Sequence, residues 1–178
     1  MITLTREQHC ALAQMDIATF KDLRKRNLLP TSDRTIDLAR DRKYTPHATL
    51  MLIMAKDLFD VCNLSREAAA RTARACLQLP LRWDAIARTS LAISRGEHTD
   101  DSIYCGYVEK VPRTLEPEGT PAWYAASRAV HFCETYAGLA KFGPIRRLVC
   151  VNASEIAARM RLRAEAANID LEQFWLEG

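Results

Sequence analysis

None of the six cysteines (Cys10, Cys62, Cys76, Cys105, Cys133, Cys150) forms a Cys-x-x-Cys pair, which excludes zinc-knuckle spacing. Scattered in this way, cysteines in a reducing compartment read as small, half-apolar core residues. A long hydrophobic run is also missing. The longest, residues 50–55, is far too short to span a bilayer. Arg6, Glu7, Gln8, His9 and Asp16 interrupt the opening residues, so no apolar signal segment follows a basic start. The expected location is cytoplasmic, with no membrane partner. The phosphate-binding loop, the G-x-G-x-x-G turn and the G-x-S-x-G elbow are absent as well, and no heptad array is long enough for a coiled coil. No enzymatic activity, cofactor or metal is expected.

What is present is an ordinary globular composition. Of 178 residues, 48% are hydrophobic and 26% charged, enough to bury a core without staples. The net charge of +3 is unevenly placed: residues 1–80 carry +4 and residues 81–178 carry −1. The basic excess lies where a phosphate-contacting surface would need it.

Helix signals begin at once. Thr5 with Gln8 makes a capping box, and a short helix is expected to about residue 14. Asp16 is a good N-cap for a second helix over residues 17–26, with Ile17, Phe20 and Leu23 at helical spacing. Pro30 stops it. Two short helices about a tight turn are the plan of a helix-turn-helix. The outward face of the second helix, with Thr19, Lys21, Asp22, Lys25 and Arg26, has the side chains that reach phosphates and base edges in a major groove. A polar, arginine-rich stretch with β-compatible residues follows over residues 31–45. Thr45 and Pro46 then open a helix to about residue 61, and Ser65 caps another to about residue 78.

The run Met15-Asp16-Ile17-Ala18-Thr19-Phe20-Lys21, then Arg24-Lys25-Arg26-Asn27-Leu28-Leu29-Pro30, then Arg42-Lys43-Tyr44-Thr45-Pro46, resembles the MerR-type winged helix. In that family a V-S/P-V-x-T-L-R turn leads into the second helix, which ends at G-L-L-P. A two-stranded wing follows, and an R-x-Y-S/T segment starts the third helix. The resemblance covers residues 4–78. It implies that Thr19, Lys21, Arg24, Lys25 and Arg26 contact DNA from the second helix, that Arg34, Arg40, Arg42 and Lys43 follow the backbone from the wing, and that Tyr44 lies against a phosphate. Ala18 and Asp22 stand where the family usually carries Arg and Tyr. Asn27 replaces the helix-ending Gly and tolerates the same left-handed conformation.

Beyond a hinge at residues 79–81, the pattern predicts a helix over residues 82–95 ended by Gly96, a strand over 103–111, and a loop over 112–121. A helix over about 121–140 is expected next, then a strand over 145–151, a helix capped by Ser154 to about residue 168, and an apolar end at 171–175 able to dock. His98 lies near Asp100 and Asp101, and His131 near Cys133 and Glu134, but a polar turn and a helix face account for both. Cys105, Cys133 and Cys150 are the candidate metal ligands of the second half, though apolar neighbours favour core positions. Tyr104, Tyr107, Trp123, Tyr124, Phe132 and Tyr136 either line a small-molecule pocket or fill a core.

The sequence thus predicts a mainly α chain with small β content: a winged helix-turn-helix over residues 1–80 and a small α+β regulatory or dimerisation domain over 81–178. The expected function is a sequence-specific transcriptional regulator. Its partners are double-stranded DNA, a second copy in a homodimer, and a small-molecule or protein effector at the C-terminal domain. The helices over 46–61, 82–95 and 154–168 supply candidate dimer faces. Two alternatives use the same module: a phage or mobile-element architectural protein (an excisionase or packaging recognition subunit), or a protein-interaction module that has lost DNA binding.

Overall fold

The computed structural model describes residues 2–31, 44–77, 83–111, 117–122 and 129–176. Five helices come first: α1 (Arg6–Leu12), α2 (Ile17–Lys25), α3 (Pro46–Asp60), α4 (Arg66–Leu77) and α5 (Trp83–Ser94). Strand β1 (Ile103–Lys110) and strand β2 (Ala129–Thr135) follow. A 3-10 helix (Ala137–Phe142) leads to β3 (Ile145–Asn152), then α6 (Ala153–Ala166) and the short α7 (Glu172–Leu176). The chain is mainly α with one three-stranded antiparallel sheet, order β2-β1-β3. No helix among the described residues is long and apolar enough to cross a membrane.

The helix boundaries follow from local chemistry. Thr5 and Gln8 form the reciprocal capping box at α1, and Asp16 and Thr45 accept from backbone N–H groups of the first turns of α2 and α3. The chain holds only six glycines, so most helix ends are left-handed without one. Asn27, Asn63 and Asn168 take φ of 55°, 54° and 52°, and Gln14 takes 47°. At Asn27 the Leu28 N–H returns to the Leu23 carbonyl at 2.8 Å, the bond that closes a Schellman ending.

Two expectations need correction. The helix predicted over 121–140 is instead β2 followed by the 3-10 helix, with residues 123–128 outside the described set. The small residues Val130, Cys133, Ala137 and Ala140 happen to recur at helical steps. Central strand β1, however, needs a hydrogen-bonded partner on each side, and the β-formers of 129–135 supply one. The cap of α6 is Asn152, which accepts from the Glu155 N–H at 3.1 Å. Ser154 is fully buried; it shares a hydrogen bond with Thr89 at 2.5 Å and accepts the Ile103 N–H at 2.9 Å.

Alternation along β1 divides the sheet. Ile103, Cys105 and Tyr107 face the helices, where α3, α4 and α6 pack. Tyr104 and Val108 face the other way, into a smaller cluster with Phe132, Leu139 and Phe142. One contiguous core runs from Leu4 to Trp175 through both halves of the chain. The change of architecture near residue 80 therefore does not divide the core. The C-terminal segment docks as expected: Phe174 and Trp175 pack on Trp83, with ring centroids 5.5 and 6.4 Å away.

The faces expected to pair two copies are largely consumed inside the chain. Leu50, Ile53, Met54 and Leu58 of α3 are fully buried, and α5 and α6 pack on one another.

Candidate nucleic-acid interface

Helices α1 and α2 meet through a tight turn whose Met15 N–H bonds the Cys10 carbonyl at 3.0 Å. Their shared core is small and polar at its centre. His9 stacks on Tyr44 (4.3 Å between ring centroids, 10° between planes), and Phe20 meets both rings edge-on. His9 Nδ1 is 2.8 Å from Thr49 Oγ1 on α3, and Tyr44 pairs with Leu4 in an isolated antiparallel bridge. The stack thus joins α1, α2 and the start of α3.

This geometry has a pH consequence. Burial pushes the His9 pKa down from 6.5 to about 4, because the charged imidazolium loses its hydration. The native state keeps His9 neutral while the unfolded chain takes up a proton below pH 6.5, so stability falls as pH drops from 6.5 towards 4. At most about 3 kcal/mol is lost over that window. Urea unfolding of the wild type and of His9→Gln from pH 7 to 4.5 checks this. The wild-type curve is expected to fall more steeply, and parallel curves would remove His9 as the cause.

Both ends of α2 are tied to the body by arginines from distant parts of the chain. Arg163 of α6 donates to the Leu12 carbonyl at 2.8 Å and to Gln14 Oε1 at 2.9 Å, holding the turn before α2. Arg74 of α4 donates to the Pro30 and Leu29 carbonyls at 2.5 and 3.2 Å, holding the segment after it. Sequence reading missed these clamps, and no local signal would have found them: the paired residues lie 151 and 44 positions apart in the first bond of each set.

On α2, Phe20 and Leu23 face inward, while Ala18, Lys21, Asp22 and Lys25 share the exposed face. Arg26 is exposed and 3.5 Å from Asp22, a surface ion pair worth little. Thr19 is half-buried, and its hydroxyl donates to the Asp16 carboxylate at 2.6 Å. Arg24 is half-buried, with one terminal nitrogen buried and without a hydrogen-bond partner among the described residues. Tyr44, expected against a phosphate, is 3% exposed and its ring stands in the core. Arg34, Arg40, Arg42 and Lys43 lie outside the described residues.

The other candidate constellations come apart or prove structural. Cys105 and Cys133 sit opposite one another across β1 and β2, 3.1 Å between sulfurs. Cys76 bonds the Gly106 carbonyl beside them. Cys150 pairs in register with Gly106, one step along, and so faces the opposite side of the sheet. The Cys105 thiol donates to Cys133. Hydrogen bonding with Cys133 and Cys76 that favours the protonated form, together with burial, pushes its pKa well above the ordinary value, which leaves it protonated and a poor ligand. No group of three His, Cys, Asp or Glu side chains is placed to hold a metal among the described residues. His98 and Asp100 are both fully solvated at a turn. His131 lies 3.5 Å from Thr72, and Glu134 pairs with Lys141. Of the six aromatics, Tyr107 faces the helices while Tyr104 and Phe132 face away. Tyr136 is exposed, and Trp123 and Tyr124 lie outside the described residues.

The sequence matches no protein-family model and no curated protein.

Proposed function

We propose that this chain is a sequence-specific DNA-binding transcriptional regulator, with α1 and α2 as a MerR-like winged helix-turn-helix and α2 as the helix that enters the major groove. The observation that carries the reading is the exposed face of α2. It presents Lys21 and Lys25 one turn apart, with Arg26 at its end, on a helix capped by Asp16 and clamped at both ends by Arg163 and Arg74. Affinity for a polyanion needs exposed cations, and sequence readout needs them held in a fixed register. The excess positive charge of residues 1–80 supports the same surface.

A single helix reads one half-site, and regulatory affinity needs two, so the acting species is a homodimer. Since α3, α5 and α6 spend their apolar faces inside the chain, pairing uses other surface.

Division of labour on α2 can be tested by selecting bound duplexes from a random DNA pool with the wild type and Lys21→Ala. The wild type is expected to enrich a defined half-site, and Lys21→Ala to relax it at one or two positions, each worth about 1–3 kcal/mol. Enrichment of the same motif by both proteins would remove Lys21 from base readout.

A further inference from the structure

A cleft of about 550 Å³ opens between α5, α6 and the segment that leads into α7, within the range of roughly 300–1,000 Å³ typical of small-molecule sites. Its wall holds two guanidinium groups, Arg95 and Arg161, and three carboxylates, Glu165, Asp170 and Glu172. None of the five forms a direct ion pair among the described residues. Glu172 attracts Arg161 at longer range and Asp170 Oδ1 accepts the Glu172 N–H at 2.9 Å, so charges of both signs line one cavity without closing on each other. Arg161 is fixed: its Nε donates to Ser90 Oγ at 3.0 Å, one Nη to the Ala87 carbonyl at 3.1 Å, and its guanidinium carbon lies 4.1 Å from the Trp175 ring centroid. Two of its five N–H donors are used by α5, which leaves donors for a ligand. Trp175 is 8% exposed, and its indole N–H is buried without an acceptor among the described residues. Leu91 and Ile169 complete an apolar wall.

We infer that this cleft binds a free α-amino acid or short peptide with an apolar side chain, its carboxylate on Arg95 and Arg161 and its ammonium on the carboxylates of the same wall. A guanidinium fork matches a carboxylate in two parallel hydrogen bonds. The carboxylates of the lining reject a simple anion, and its arginines reject a simple cation. A zwitterion satisfies both, while its side chain covers the apolar wall. The inference does not depend on DNA binding.

Titration calorimetry of the full chain, with tryptophan fluorescence as a second readout, tests it using L-phenylalanine, L-leucine and the dipeptide L-leucyl-L-phenylalanine. At least one is expected to bind one-to-one. N-acetyl-L-phenylalanine lacks the ammonium and L-phenylalaninamide the carboxylate; each is expected to bind about 10-fold or more weakly than L-phenylalanine. Arg161→Gln removes bonds to α5, so the cleaner variant is Arg95→Gln, at an exposed residue. It is expected to keep the wild-type melting temperature, weaken L-phenylalanine about 10-fold, and leave L-phenylalaninamide unchanged. Absence of binding by all three zwitterions at about 10 mM, or equal binding of the blocked compounds, would overturn the assignment.

Discussion

Gly106→Ala is expected to be the most damaging single substitution in the sheet. A Cβ built at this position runs into the Val149 carbonyl oxygen and lies 2.7 Å from the Cys150 Cα. Both are backbone atoms of β3, and no rotamer change can clear them. Overpacking against rigid backbone costs about 3 kcal/mol or more, a large share of the stability of a domain this size. The effect reaches further than β3, because the Gly106 carbonyl also accepts from Cys76 of α4, and α4 carries the Arg74 clamp on α2. The comparison is Gly96→Ala. Gly96 has φ of 77° with open space around it, so only the left-handed conformation is penalised, by about 1 kcal/mol. Urea unfolding of both variants should therefore place Gly106→Ala well below Gly96→Ala. Equal midpoints would mean that β3 yields at this contact and that the sheet is less tightly registered than its pairing indicates.

The second large effect concerns binding rather than stability. Replacing Lys21, Lys25 and Arg26 together by alanine removes three exposed cations from α2 without touching Phe20 or Leu23, which hold the helix to the core. Thermal stability should change little. Affinity for any duplex should fall by roughly two to three orders of magnitude, and the slope of log affinity against log salt should drop by about 2 to 3 for each bound protomer. Gel-shift titrations at several salt concentrations measure both quantities. An unchanged salt slope would show that α2 does not face DNA phosphates, whatever else binds there.

What was legible in the sequence was local. The Thr5–Gln8 box, the caps Asp16 and Thr45, the left-handed Asn27 and the end at Gly96 are each set by a few neighbouring residues. Strands β1 and β3 announced themselves by β-branched and aromatic content. What failed was decided at a distance. Residues 129–135 became a strand because β1 needed a partner, and their own spacing pointed to a helix. Ser154 has the chemistry of a capping residue, while burial against Thr89 and Ile103 gives it another task. Of the candidate site, the exposed cations of α2 could be read from helical periodicity. The clamps from Arg74 and Arg163, and the burial of Tyr44 between His9 and Phe20, depend on contacts that no window of sequence contains.

The central claim is that the exposed face of α2 binds DNA with sequence preference, and fluorescence anisotropy tests it most directly. The purified chain would be titrated against the DNA upstream of its own coding sequence and against a scrambled duplex of equal length and composition, across a salt series. The account predicts tight binding that weakens steeply with salt and favours the upstream duplex. No binding to either duplex at low salt would contradict it.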